Sequence, residues 1–249
     1  MLNNQKGATL IVVLILLVAL TVIGTLAVRQ SIVALSIATN GQAQQLLTQN
    51  SDAAIFNIED PDAYDDYTRA TGLFGLISSK SQQGKELVFC YRGSSTRFFN
   101  KAQSSIIFNE GNTVINNSEG TAGYCRVGGT NNFFTSNRRA VLTQVSLVSR
   151  AIDDETDNVK PFQYSVRGQD NAFAKSGDPE RIIVNAISLM PALSTATDAE
   201  INACLSNHLS TTAVSGQTVT TCLTALNVPF VTHVSEYIRY QKFNAGVKG

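Results

Sequence analysis

The chain has 249 residues, of which 43% are hydrophobic and only 15% are charged. Its 19 lysines and arginines balance its 19 aspartates and glutamates, so the basic stripe that binds nucleic acid is not expected. After one long apolar helix, roughly 190 residues remain for a globular part, which is enough for one core of moderate size.

The first element is an apolar run without a charged side chain, from Ala8 to Val28. A helix through the hydrocarbon core of a membrane needs about 20 apolar residues, so this run is long enough. A cleavable secretory signal has a shorter apolar region and a small-x-small cleavage site, which Arg29-Gln30-Ser31 does not supply. We therefore expect a membrane helix rather than a secretory signal.

The helical pattern continues beyond the apolar run. Apolar residues recur mostly three or four positions apart, or at multiples of that spacing, with Gln, Asn, Ser and Thr between them: Ile32, Leu35, Ala43, Leu46 and Ala53. No proline occurs before Pro61. We predict one continuous helix over residues 8–57, apolar all round in its first half and amphipathic in its second.

The junction at the start of the apolar run resembles the processing site of type IV prepilins. The sequence Lys6-Gly7-Ala8-Thr9-Leu10-Ile11 has the short basic leader ending in glycine and the aliphatic run of that family. The resemblance implies that a membrane peptidase cuts between Gly7 and Ala8 and methylates the new amino group of Ala8. It covers residues 1–57 closely, whereas the rest of the chain matches only the general plan of a pilin.

One departure from the family pattern concerns Val12, where major pilins usually have glutamate. The run without an acid is most similar to that of PilX-type minor pilins, and the K-type minor pseudopilins of type II secretion share the missing glutamate. In the family, this glutamate pairs with the N-terminal ammonium of the subunit already added. We therefore expect a subunit with Val12 at or near the fibre tip, where no predecessor exists. The alternative is that hydrophobic packing suffices at any position.

The resemblance also implies a domain plan, a location and a set of partners. The plan is a leader at 1–7, a transmembrane and fibre-core helix at 8–28, its amphipathic continuation at 29–57 and a periplasmic globular domain at 58–249. The protein would stand in the bacterial inner membrane and then in the pilus at the cell surface. Its partners would be other minor and major pilins, the prepilin peptidase, the inner-membrane assembly platform and a large tip-associated adhesin.

Four cysteines follow the apolar run: Cys90, Cys125, Cys204 and Cys222. No C-x-x-C occurs, which argues against a zinc site. Of the three possible pairings we favour Cys90–Cys125 with Cys204–Cys222, because each bond closes one loop of moderate length and could add about 3–4 kcal/mol. Such bonds indicate an oxidising space such as the periplasm. The alternative is four buried thiols in a cytosolic domain.

The globular part predicts an α+β fold, in which an antiparallel sheet packs against the C-terminal half of the long helix. Turn residues separate the predicted strands at 86–92, 104–108, 113–116, 122–127, 139–152, 161–167, 181–190 and 231–243. We also expect an acidic turn at 59–67, a short helix at 68–80 and a helix at 198–209. The last lies within a disulfide-closed excursion from the sheet at 195–227.

The sequence contains little that indicates catalysis. It lacks the G-x-S-x-G, P-loop, H-E-x-x-H and dinucleotide-binding motifs. Only His208 and His233 could act as an imidazole base, and we expect each to have a surface or packing role. We therefore predict that the protein is not an enzyme and has no catalytic or cofactor-binding residue.

Two acidic clusters could supply oxygen ligands to calcium. They are Asp60, Asp62, Asp65 and Asp66, and Asp153, Asp154, Glu155 and Asp157. Neither has the EF-hand spacing, so we interpret both as solvated turns, with calcium as the minor alternative.

Three functions thus remain open, in order of preference. The first is a minor pilin, the second a minor pseudopilin of type II secretion, and the third a membrane-anchored periplasmic binding module that is never polymerised. Cleavage before Ala8 separates the first two from the third.

Overall fold

The computed structural model describes residues 6–128, 133–135, 139–151 and 180–239. The helices are α1 (Lys6–Ile58), α2 (Tyr64–Thr68), α3 (Leu73–Ile77), α4 (Asp198–Asn207) and α5 (Val219–Ala225). The strands are β1 (Glu86–Tyr91), β2 (Ser104–Glu110), β3 (Thr113–Ile115), β4 (Leu142–Ala151), β5 (Glu180–Leu189) and β6 (Phe230–Arg239). The strand predicted at 161–167 and the acidic cluster at 153–157 lie outside the described residues.

The predicted long helix is confirmed as α1, which is continuous from Lys6 to Ile58. The chain divides into two compact units, Met1–Gln45 and Leu46–Gly249, so the last turns of α1 belong to the globular unit. Within that unit α1 buries one stripe at helical spacing: Leu47, Ser51, Ala54, Ile55 and Ile58.

The predicted apolar stripe of α1 is wrong in phase. Leu46 is 39% exposed and Ala53 is only half-buried, whereas the adjacent residues Leu47 and Ala54 are buried. Ile32 and Leu35 are exposed. A spacing of three or four residues fits several neighbouring phases of a helix, and only the sheet that the helix meets selects one of them.

The strands form one antiparallel sheet in the order β3-β2-β1-β4-β5-β6. β4 and β5 pair along ten residues, from Leu142 opposite Leu189 to Ala151 opposite Glu180. β5 and β6 pair along ten more, from Glu180 opposite Arg239 to Leu189 opposite Phe230. The sheet and its helix confirm the α+β class.

Both faces of the sheet carry an apolar core, because side chains alternate between faces along a strand. On one face, here called the helix face, Leu87, Val145 and Val184 pack with residues of α1, α2 and α3. The opposite face is here called the cap face. There, Leu142 and Ile187 pack with residues of α4, α5 and the segment around Cys125. The predicted excursion at 195–227 therefore covers the second face of the sheet.

The strand predicted at 122–127 is absent from the sheet, and Gly123 shows why. A Cβ at this position would lie 2.2 Å from the carbonyl oxygen of Val88 and 2.4 Å from the amide nitrogen of Ser105. The Gly123 N–H donates to Ser105 Oγ at 2.9 Å. The backbone thus lies flat against the cap face over β1 and β2, at a distance that only glycine permits.

Three short helices differ from the prediction. α2 forms inside the acidic stretch predicted as a turn at 59–67, and α3 covers only part of the helix predicted at 68–80. α5 was not predicted, although Thr218 and Thr221 form a reciprocal capping box at its start. A threonine pair is a weaker sequence signal than the Thr197–Glu200 box that begins α4.

Candidate functional site

The first candidate functional surface is the exposed side of α1 in the N-terminal unit. Its large apolar side chains between Leu10 and Ile37 are each 51–68% exposed. The helix is long and apolar enough to cross a membrane. Val12 is 56% exposed on this surface.

Several of the described hydroxyl groups in this helix donate to its own backbone. Thr21 Oγ1 donates to the Val18 carbonyl and Thr25 Oγ1 to the Val22 carbonyl, each at 2.8 Å. Ser31 Oγ does the same with Ala27 at 2.9 Å. Side chains bonded in this way present mainly carbon to the surroundings, which suits an environment without water.

The residues of the expected cleavage site lie at the beginning of α1. The helix starts at Lys6, so Gly7 and Ala8 both fall in its first turn. The side chains of residues 6–9 are outside the described part of the structure. Cleavage and methylation therefore stay predictions.

The four cysteines form the two predicted disulfide bonds, which were favoured because each closes one loop of moderate length. Cys90 in β1 is bonded to Cys125, and Cys204 in α4 is bonded to Cys222 in α5. Cys90, Cys125 and Cys204 are buried in the core of the cap face, and the partly buried Cys222 packs against it. The first bond fastens the 122–127 segment to the sheet, and the second joins α4 to α5.

Buried amides add to the attachment of the cap. Gln144 in β4 accepts from the Cys125 N–H at 3.0 Å and donates to the Leu205 carbonyl at 2.9 Å. Asn202 in α4 accepts from the Val127 N–H at 2.7 Å and donates to the Val127 carbonyl at 3.1 Å. The cap is thus held by polar contacts of fixed direction as well as by apolar packing.

Glu86 in β1 is a fully buried carboxyl group on the cap face. It accepts from the Ser210 N–H at 2.8 Å, from the Thr211 N–H at 2.7 Å and from the Thr211 hydroxyl. Burial raises its pKa, and these hydrogen bonds together with the charge of Arg150 oppose that increase. Glu86 therefore fastens the loop after α4 to the middle of the sheet.

A second buried carboxyl group, Glu180, lies at the start of β5 on the helix face. Arg239 Nη1 is 3.1 Å from Glu180 Oε1, and the Ser149 hydroxyl donates to Oε2 at 3.2 Å. The Ser78 hydroxyl also donates to Glu180. This network joins β4, β5 and β6 to the residue that ends α3.

Sequence reasoning did not single out Glu86, Gln144 or Glu180. A signal existed, since each is a charged or amide residue in a strand that is otherwise mostly apolar or small. The pattern alone does not say whether such a residue is buried with partners or marks the solvated end of a strand.

The remaining site predictions concern metals and histidines. Among the described residues no group of three or more metal-binding side chains occurs. Asp60 instead accepts from the Asp62 N–H at 3.0 Å, and Asp66 pairs with Arg69 at 2.9 Å. His208 ends α4, where burial lowers its pKa.

Open grooves occur among the described residues of the globular unit. One of 530 Å³ lies beside the end of α1 and is lined by Asp60, Arg97 and Phe99 among others. Another, of 460 Å³, lies between Tyr124 and α4. Neither is lined by histidine, and the cysteine in the second is disulfide-bonded.

No protein-family model, curated protein or solved structure matches the chain.

Proposed function

We propose that the chain is a minor pilin, a low-abundance structural subunit that helps to initiate type IV pilus assembly at or near the fibre tip. The observation that carries the proposal is the uncharged surface of α1, exposed on all sides, directly after Lys6-Gly7-Ala8. A helix of this kind can be held in a bilayer and can later pack against other such helices in a fibre.

The absence of a carboxylate at Val12 supports the tip position. A bilayer and a fibre core are both settings of low dielectric constant, where an unpaired charge costs several kcal/mol or more. A subunit with Val12 has no carboxylate to pair with the N-terminal ammonium group of a preceding subunit. Its own Ala8 ammonium group can still pair with the glutamate of the next subunit. The missing carboxylate costs least in the first subunit of a fibre.

The two disulfide bonds support export of the globular unit. Both lie in or against the core of the cap face, and bonds of this kind persist in oxidising spaces such as the bacterial periplasm. The proposal therefore has the leader in the cytoplasm and the residues after α1 in the periplasm before assembly.

Processing of the leader is the test of this function. Gly7→Val should leave residues 1–7 attached, because the peptidase of the family reads the glycine at the cut. The matched control is Gly24→Val, since Gly24 lies in the same helix and a Cβ there meets nothing within 4 Å. Intact mass and N-terminal sequencing of the full chain from membranes provide the readout.

We expect the native chain and the Gly24→Val variant to begin at Ala8 and the Gly7→Val variant to begin at Met1. A native chain that begins at Met1 in cells with active prepilin peptidase would rule out a pilin and favour the membrane-anchored binding module. If the chain is cut, immunogold labelling of surface pili separates a pilus subunit from a pseudopilin confined to the periplasm.

A further inference from the structure

The outer side of α1 in the globular unit carries an exposed aromatic ring. Phe56 is 76% exposed, whereas the other phenylalanines that the structure describes are buried or half-buried. Phe56 is next to the buried Ile55 and points away from the core stripe of the helix. Single exposed apolar residues are common, so the surroundings of this ring decide whether it marks a site.

Two carboxylates lie on either side of the ring, and both are fixed by β6. Asp52 precedes Phe56 by four residues in α1, and Glu59 is the first residue after the helix, where its N–H still donates to the Ile55 carbonyl at 3.0 Å. Both therefore lie on the side of α1 that carries Phe56. His233 Nδ1 is 2.7 Å from Asp52 Oδ1, and the Tyr237 hydroxyl donates to Glu59 Oε1 at 2.8 Å.

These contacts keep the two carboxylates in place before anything binds. Burial, together with the hydrogen bond to Glu59, raises the pKa of Tyr237 to about 12, so its hydroxyl remains a donor at neutral pH. Asp52 nevertheless keeps 55% of its side chain exposed. A partner would therefore bind to a ring flanked by two carboxylates that are already held in position. Binding would not incur the entropic cost of ordering these carboxylates.

The charge of this part of the chain has one sign. Residues 30–68 contain no lysine or arginine and six acids, namely Asp52, Glu59, Asp60, Asp62, Asp65 and Asp66. In the fold, Asp66 pairs with Arg69, and Asp60 lines a groove together with Arg97, so the attraction of a cation to this surface depends on Asp52 and Glu59. Calcium is not the cation expected at a site that contains Phe56, because the ion needs six to eight oxygen ligands and the ring supplies none.

We propose that Phe56, Asp52 and Glu59 form a docking point for an arginine or lysine side chain on the globular surface of a neighbouring fibre subunit. The cation lies over the face of the ring and is flanked by the two carboxylates, which combines a cation–π contact with ion pairs. A guanidinium group suits the site best, since its plane stacks on a ring and its edge matches a carboxylate. The identification of the partner as a fibre subunit rests on the proposed function. The preference of the docking point for a cationic side chain does not.

The test replaces Phe56 of the full chain with the photoreactive residue benzoylphenylalanine in cells that assemble pili. The control carries the same residue at Leu193, which is 53% exposed and lies outside α1. We expect a crosslink only from position 56, mapped by mass spectrometry to a peptide of another subunit beside an arginine or lysine. The double variant Asp52→Asn/Glu59→Gln keeps side-chain oxygens that can accept hydrogen bonds from β6 but removes both negative charges. It should lower the crosslinking yield from position 56 about fivefold.

Several outcomes would overturn the docking point. They are an equal yield from position 193, a product with a phospholipid, and a yield that the double variant leaves unchanged. The N-terminus and fibre content of the same cells separate the two proposals. A chain cut at Ala8 and found in fibres, but without the crosslink, refutes the docking point alone. An uncut chain outside fibres that still crosslinks beside a cationic side chain refutes the pilin function alone.

Discussion

At the scale of residues, two buried carboxyl groups contribute to the stability of the globular unit. Glu180 has Arg239 as an ionic partner, whereas Glu86 is held by two backbone N–H groups and a hydroxyl. Removal of an acceptor from such a site leaves buried donors without partners, which costs about 1–3 kcal/mol.

Glu86→Gln should destabilise the protein, by an amount that depends on pH. The amide group of Gln would meet an N–H donor at Ser210 or Thr211, which costs about 1–3 kcal/mol. Burial raises the pKa of Glu86 in the folded state above its ordinary value of 4.5, so the native state holds the proton more tightly than the unfolded state. The stability that this proton contributes is present below pH 4.5 and is lost as the pH rises through the folded pKa.

Because Gln does not titrate, the stability difference between native protein and variant should shrink as the pH rises. Thermal unfolding of the full chain in detergent, between about pH 4 and about pH 8, measures it. Glu110→Gln, at an exposed residue at the end of β2, is the control and should show little change. A difference that grows with pH would contradict the assignment.

At the scale of elements, α1 in the globular unit has a buried side and an exposed side. Two consecutive residues of the helix can lie on opposite sides. Ile55 is 5% exposed and belongs to the core of the helix face, whereas Phe56 is 76% exposed. Large-to-small changes cost stability in proportion to the contacts and the cavity left behind.

Ile55→Ala should therefore lower the free energy of unfolding by about 2–5 kcal/mol. Phe56→Ala, the matched control one residue away, should change it by no more than about 0.5 kcal/mol. Thermal unfolding of the full chain in detergent compares the two. Equal losses would mean that Phe56 has a structural role, and they would also weaken its assignment as a docking residue.

The bond between α4 and α5 should stabilise the cap more than the sheet. Replacement of Cys204 and Cys222 by alanine should cost about 2–4 kcal/mol, mainly because the unfolded chain gains freedom. Hydrogen exchange should become faster in α4 and α5, while β4 and β5 keep most of their protection. An equal increase in exchange over the sheet would show that the cap and the sheet unfold as one unit.

At the scale of the whole molecule, the predicted role is in starting a fibre. Deletion of the protein should sharply reduce the number of pili per cell, because initiation rather than elongation would be lost. Epitope-tagged copies should be rare and clustered at fibre ends in electron micrographs. Labels spaced evenly along the shaft would mean that hydrophobic packing of a Val12 subunit suffices at any position.

The sequence by itself determined the features that depend on local pattern and composition. An uncharged run of membrane length predicts the first half of α1, and segments separated by turn residues predict most of the strands that the structure describes. The cysteine spacing favoured the correct pairing, because short loops close at the lowest entropic cost. The resemblance of residues 1–57 to prepilins supplied the function that we propose.

Only the tertiary structure decided which side of each element is buried and what covers the sheet. The phase of the α1 stripe, the flat approach of Gly123 to the sheet and the partners of Glu86 join residues that are distant in the chain. Local propensity and periodicity are blind to such contacts, since they depend on the order of strands and on the segment that meets each face. For the same reason Phe56 has the sequence signal of a core residue, and only the position of β6 reveals two fixed carboxylates beside an exposed ring.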